Sequence, residues 1–114
     1  NTNDTMNLGN KLVPGTTVIQ MEATVDELIN STGDTLKRVR KELTTEPGAY
    51  FLVHCGGRKL GIGNRLEEVH KQLVKEAKGV PFICIFTFGE YGYREHSANT
   101  CGGLMLSFTG FGKE

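Results

Sequence analysis

Between Ala49 and Phe88 the chain runs strand, glycine-rich turn, amphipathic helix and strand, and few folds accept that order. Ala49-Tyr50-Phe51-Leu52-Val53-His54 has no polar side chain before its last position, the composition of a central strand buried on both faces. Cys55 to Asn64 carries Gly56, Gly57, Gly61 and Gly63. Leu66, Val69, Leu73 and Ala77 then recur on one helical face, with Asn64 and Glu67 at capping positions. Lys78-Gly79 is a helix stop, Pro81 opens the next strand, and Phe82-Ile83-Cys84-Ile85-Phe86 is again apolar. Residues 49–88 therefore read as a βαβ unit, whose right-handed crossover makes its two strands parallel.

The flanks complete the expected domain. Asn1 to Asn10 is polar, and residues 1–12 read as a flexible lead-in. Pro14-Gly15 marks a turn, and the β-branched Thr16-Thr17-Val18-Ile19 predicts a first strand over 16–22. Thr24-x-x-Glu27 has capping-box spacing for a short helix through Leu28 and Ile29. Gly33 interrupts it, and Asp34 caps a second helix carrying Leu36, Val39 and Leu43 on one face and Lys37, Arg38, Arg40 and Lys41 on a solvated one. A last strand over about 102–108 follows the Phe82 strand without a helix, so antiparallel pairing with it is expected; Thr109 to Glu114 reads as a tail. The expected fold is α/β (α+β), a single domain with a mixed sheet of about four strands, one βαβ crossover and helices packed on the sheet. The domain spans 13–110, and 111–114 is tail.

A chain of 114 residues, 38% hydrophobic, suits one core. Thirteen basic and thirteen acidic residues leave no net field to draw nucleic acid or an anionic membrane, so a small molecule, another protein or a second copy is the natural partner. No apolar run approaches the roughly 18–20 residues of a spanning helix, and the start lacks the pattern of a signal peptide; a cytoplasmic protein is expected. Cys55, Cys84 and Cys101 are odd in number and lack C-x-x-C spacing, so neither a disulfide framework, a metal site nor a cofactor follows. The chain starts at Asn1 and its first methionine is Met6, the expectation for a piece of something longer.

Candidate chemistry lies in two segments. Phosphate motifs fail in the first: Gly56-x-x-x-x-Gly61 is followed by Ile62-Gly63 rather than Lys and Ser or Thr, and Gly61-Ile62-Gly63 lacks the third glycine of the dinucleotide fingerprint. Val53-His54-Cys55-Gly56-Gly57 resembles the opening of a cysteine-phosphatase loop, but that loop needs arginine six residues on, where Gly61 stands. His54 reads most simply as satisfied by a backbone partner and Cys84 as core. The second segment, Gly89-Glu90-Tyr91-Gly92 with His96 and Asn99, groups a carboxylate, a phenol, an imidazole and an amide between two strands.

Leu52-Val53-His54-Cys55-Gly56-Gly57-Arg58, Val80-Pro81-Phe82, Thr87-Phe88-Gly89-Glu90-Tyr91-Gly92, the stretch His96 to Thr100 and the Val13-Pro14-Gly15 entry resemble the C-terminal FIST domain. Here His96 and Asn99 are separated by Ser97-Ala98, which displaces the amide from the family's pattern. The resemblance implies a ligand-sensing module of intracellular signal transduction proteins, with amino acids as proposed ligands and an N-terminal FIST domain or signalling partner outside this chain. The resulting expectation is a non-catalytic sensor. Its ligand site draws on Cys55, Arg58, Gly89, Glu90, Tyr91, Gly92, His96 and Asn99, with Arg58 holding a carboxylate and Glu90 an ammonium. The rivals are a cysteine-dependent enzyme at Cys55 and a pure protein-interaction module.

Overall fold

The computed structural model describes residues 11–93 and 100–114. Strand β1, Pro47–Cys55, is the spine. It pairs in parallel with β2, Phe82–Thr87, from Tyr50 opposite Phe82 to Cys55 opposite Thr87. On its other side it pairs antiparallel with β5, Leu106–Gly112, with Leu52 opposite Phe108. The sheet is thus mixed, in the order β2-β1-β5, and its parallel pair is the βαβ unit expected from the sequence. Two short strands, β3 (Glu90–Gly92) and β4 (Thr100–Gly102), pair antiparallel in a separate ribbon.

Helix α1, Val25–Glu42, and helix α3, Leu66–Ala77, cover one face of the sheet. Alternation along β1 turns Tyr50, Leu52 and His54 toward them. The core forms where these meet Ile29 and Leu36 of α1, Val69 and Leu73 of α3, and Ile62. Helix α1 begins at the capping box predicted for it: the Glu27 amide donates to Thr24 Oγ1 at 3.2 Å and the Thr24 amide to Glu27 Oε2 at 2.7 Å. These bonds hold the Glu27 carboxyl below its ordinary pKa. Lys78 and Gly79, both at positive φ, end α3 as expected.

Several expectations are corrected. The last strand pairs with β1 instead of β2, because the β3–β4 ribbon carries the chain past the end of β1, where the Cys55 amide donates to Met105 O. That strand also runs to Gly112, and the Lys113 amide donates to Glu46 O, so the expected tail is largely sheet. One helix replaces the two predicted over residues 25–42. Gly33 is a close-packing position within it: a Cβ there would lie 3.2 Å from Gln72 Oε1 of α3. The glycine-rich turn is mostly helix α2, Gly56–Ile62, followed by a 3-10 turn over Gly63–Arg65. Arg65, not Asn64, occupies the cap of α3. Residues 16–22 form no strand and are exposed. Finally, β1 is not buried on both faces, since Phe51 remains 38% exposed.

Leu36 is fully buried among α1, α3 and the sheet. Leu36→Ala should cost about 2–5 kcal/mol, the range for a buried leucine whose cavity cannot close. Thr24→Ala, which removes only the cap, should cost about 1 kcal/mol. Urea unfolding of both variants checks the order and the sizes.

Candidate functional site

The carboxyl ends of β1 and β2 gather most of the buried polar side chains, His54, Arg58 and Glu90 among them. Cys55 ends β1 and caps α2: its Sγ accepts from the Gly57 amide and from the Leu104 amide, each at 3.2 Å. The sulfur therefore ties the first turn of α2 to the turn before β5. Leu104 itself sits at φ 59°, a conformation few leucines adopt, and the bond to Cys55 helps hold it there.

Arg58 lies in the first turn of α2 and is 8% exposed. Its Nη2 donates to Leu28 O and Ser31 Oγ of α1, both at 2.7 Å, while its buried Nε finds no acceptor among the described residues. Loss of hydration pushes its pKa down, which the Cys55 side chain partly offsets.

His54, one residue before the sulfur and fully buried, sits 3.2 Å through Nδ1 from Cys55 O and 3.4 Å through Nε2 from Thr32 Oγ1. A carbonyl only accepts, so Nδ1 carries the proton, and Nε2 competes with Leu28 O, 3.2 Å from Thr32 Oγ1, for the single threonine hydroxyl proton. The backbone partner is the kind expected from the sequence, Thr32 was not foreseen, and the ring makes no bond to the Cys55 sulfur. Its pKa is lowered, chiefly by burial; the nearby Arg58 lowers it further, while the Cys55 carbonyl and Glu90 act the other way.

Glu90 opens β3 and is entirely buried. Its Oε1 accepts from Thr87 Oγ1 at 3.0 Å and the Gly89 amide at 3.3 Å, and its Oε2 accepts from the Met105 amide at 3.4 Å. Gly89 stands at φ 114°, a turn conformation that needs glycine. No lysine or arginine among the described residues pairs with Glu90. The structure thus brings Cys55, Arg58, Gly89 and Glu90 to one end of the sheet, with the backbone of Tyr91 and Gly92 in the adjoining ribbon. Tyr91 turns its ring to solvent while its carbonyl accepts from Ser107 Oγ at 2.7 Å. His96 and Asn99 lie outside the described residues. Ser31, Thr32 and Thr87 were not anticipated; only Thr87-x-x-Glu90 left a trace in the spacing.

Cys84 is half-buried against the core, and burial pushes its thiol pKa up. Among the described residues no cluster of three or more His, Cys, Asp or Glu could hold a metal ion, and no helix is long and apolar enough to cross a membrane. A surface concavity of about 700 Å³ opens at the other end of β1, beside Arg40, Thr44, Glu46 and Lys78, and contains none of the groups above.

A helix-backed mixed α/β sheet with buried polar chemistry at the carboxyl ends of its parallel strands is the class this arrangement defines. The FIST C domain model matches residues 1–93, and the chain belongs to that family, a family of sensory domains in signal transduction proteins. No curated protein and no solved structure matches the chain.

The lowered pKa of His54 sets a pH dependence. The unfolded imidazole, with its ordinary value of 6.5, takes up a proton before the buried one does, so protonation favours unfolding. Stability should fall as pH drops through 6.5 toward the lower folded value, then stop falling on this account. His54→Gln should flatten that part of a urea-midpoint against pH profile.

Proposed function

We propose that this domain senses a small polar molecule, with a free amino acid as the best-matched class, at the carboxyl ends of β1 and β2. One observation carries the reading: a buried guanidinium and a buried carboxylate stand at the same end of the sheet, and neither has an ionic partner among the described residues. Buried charges are costly unless they are paired. A zwitterion offers the missing partner to each, its carboxylate to the free Nε of Arg58 and its ammonium to Glu90. Ligands of open α/β sheets bind at this end of parallel strands, which supports the same location.

Arg58 is already committed through Nη2 to α1, so a carboxylate there would add to an existing anchor and link the ligand to α1. Glu90 is closed to solvent, so ligand entry requires some of the bonds from Thr87, Gly89 and Met105 to yield. The bound state would then alter contacts of both α1 and the β3–β4 ribbon. A neighbouring N-terminal FIST domain or signalling partner in the cytoplasm would read that change.

The role is non-catalytic in this reading. The Cys55 sulfur is occupied by two amides, His54 faces Thr32 and Cys55 O, and Arg58 turns onto α1, so none of the three is arranged for attack on phosphorus.

Isothermal calorimetry of the full-length protein against the twenty amino acids should give heat for one or a few of them. Glu90→Gln and Arg58→Lys should each weaken that binding at least about tenfold, the loss of one charge-assisted contact. Tyr91→Ala should leave it unchanged. Heat from none of the twenty, or undiminished binding by folded Glu90→Gln and Arg58→Lys proteins, would sink the proposal.

A further inference from the structure

Residues 16–22 have the sequence of a strand and, in the structure, the surroundings of none. Val18, Ile19 and Met21 are 63%, 77% and 84% exposed, and Thr16-Thr17-Val18-Ile19-Gln20-Met21 contains no proline and no charge. Among the described residues its backbone is tied down at its start, where the Thr16 amide donates to Val13 O in the preceding turn at 3.1 Å. The radius of gyration, 16.1 Å, exceeds the about 13 Å of a compact domain this long. The exposed stretch before α1 is consistent in sign with that excess.

The sheet has room for such an arm. Among the described residues, β2 pairs only with β1 and its other edge is unpaired. Phe82-Ile83-Cys84-Ile85-Phe86-Thr87 has none of the lysine, proline or bulge with which proteins usually guard an edge. The sheet face turned away from α1 and α3 is also open: Phe51, Ile83 and Phe111 are 38%, 57% and 54% exposed there.

We infer that Thr16–Met21 of one copy adds as a strand to the free edge of β2 in a second copy, and that the exchange is reciprocal in a two-fold dimer. Both halves of the contact are present in every chain, which is what a self-complementary interface requires. Donor and acceptor match in length at six residues each. They also match in character, uncharged and rich in β-branched or aromatic side chains. Alternation places Thr17, Ile19 and Met21 on a common face, and with that face set beside Ile83 and Ile85 the added strand extends the apolar surface of the sheet and covers part of it. The Pro14-Gly15 turn precedes the arm and Thr24 caps α1 after it, so the exchanged strand lies between a turn and a helix start. Main-chain bonds supply most of such an interface, and pockets for alternate side chains supply its specificity.

Sedimentation equilibrium on the full chain, with amide hydrogen exchange on the same samples, tests this. Wild-type protein should sediment as a concentration-dependent dimer whose amides at residues 17–21 become protected as the dimer forms. Val18→Pro removes a donor from the arm and should weaken dimerisation at least about tenfold with the melting curve of the monomer unchanged, since Val18 is outside the core there. Ile83→Lys, placing a charge beside the acceptor edge, should do the same from the other side. A monomer throughout the micromolar range overturns the inference. So does protection of 17–21 in the monomer, which would mean pairing within one chain, and so does a dimer indifferent to both substitutions.

Discussion

Glu90 is a carboxylate held wholly out of water by one hydroxyl and two backbone amides, and the path of the chain after β2 follows from keeping those donors in place. Thr87 ends β2, Gly89 makes the turn, and Met105 stands just before β5. Two separate stretches, the end of β2 with its turn and the segment before β5, are fixed to one side chain. The Met105 carbonyl in turn takes the Cys55 amide, so the same residue that caps Glu90 begins the antiparallel pairing of β5 with β1. The ribbon, the crossing over the end of β1 and the position of the last strand belong to one connected network. Substituting Glu90 by an apolar residue would therefore disturb sheet order as well as the site.

The helical layer shows a complementary arrangement. Arg58 reaches from α2 to α1 and bonds Leu28 O, an oxygen that Thr32 Oγ1 and Ser31 Oγ also use. Thr32 meets His54, and His54 meets Cys55 O. A buried polar chain thus runs from α1 through the sheet to the start of α2, beside a core that is otherwise aliphatic and aromatic. Buried polar networks of this kind favour one arrangement over its competitors, and in this one the Arg58 Nε alone is left without an acceptor among the described residues.

The parallel pair, the capping box at Thr24 and the stop at Lys78 were legible because each rests on local chemistry: apolar composition, a hydroxyl three residues before a carboxylate, and glycine after a helix. Gly33 misled because its lack of a side chain serves contact with Gln72 of α3, which spacing along one helix does not reveal. The partner of the last strand misled because short connections favour neighbours, whereas the ribbon lengthens this one and redirects it. Residues 16–22 carry a strand's sequence without a strand's partner in one copy. At the candidate site, Cys55, Arg58 and Glu90 stood out in the sequence by residue type, but Arg58 turning to α1 and Glu90 finding Met105 depend on contacts 30 and 15 residues apart, beyond any motif.

Cys55 has a practical consequence for work with this domain. Its sulfur is the shared acceptor for the start of α2 and for the strained turn at Leu104, so replacing it by alanine leaves two amides without a partner. Where a thiol must be removed before labelling, Cys84, whose sulfur fills space in the core, is the better one to replace, and serine at position 55 preserves more than alanine because an oxygen still accepts. Conversely, a reagent that caps the Cys55 thiol acts on two segments at once, and its reaction rate reports how often the turn before β5 opens.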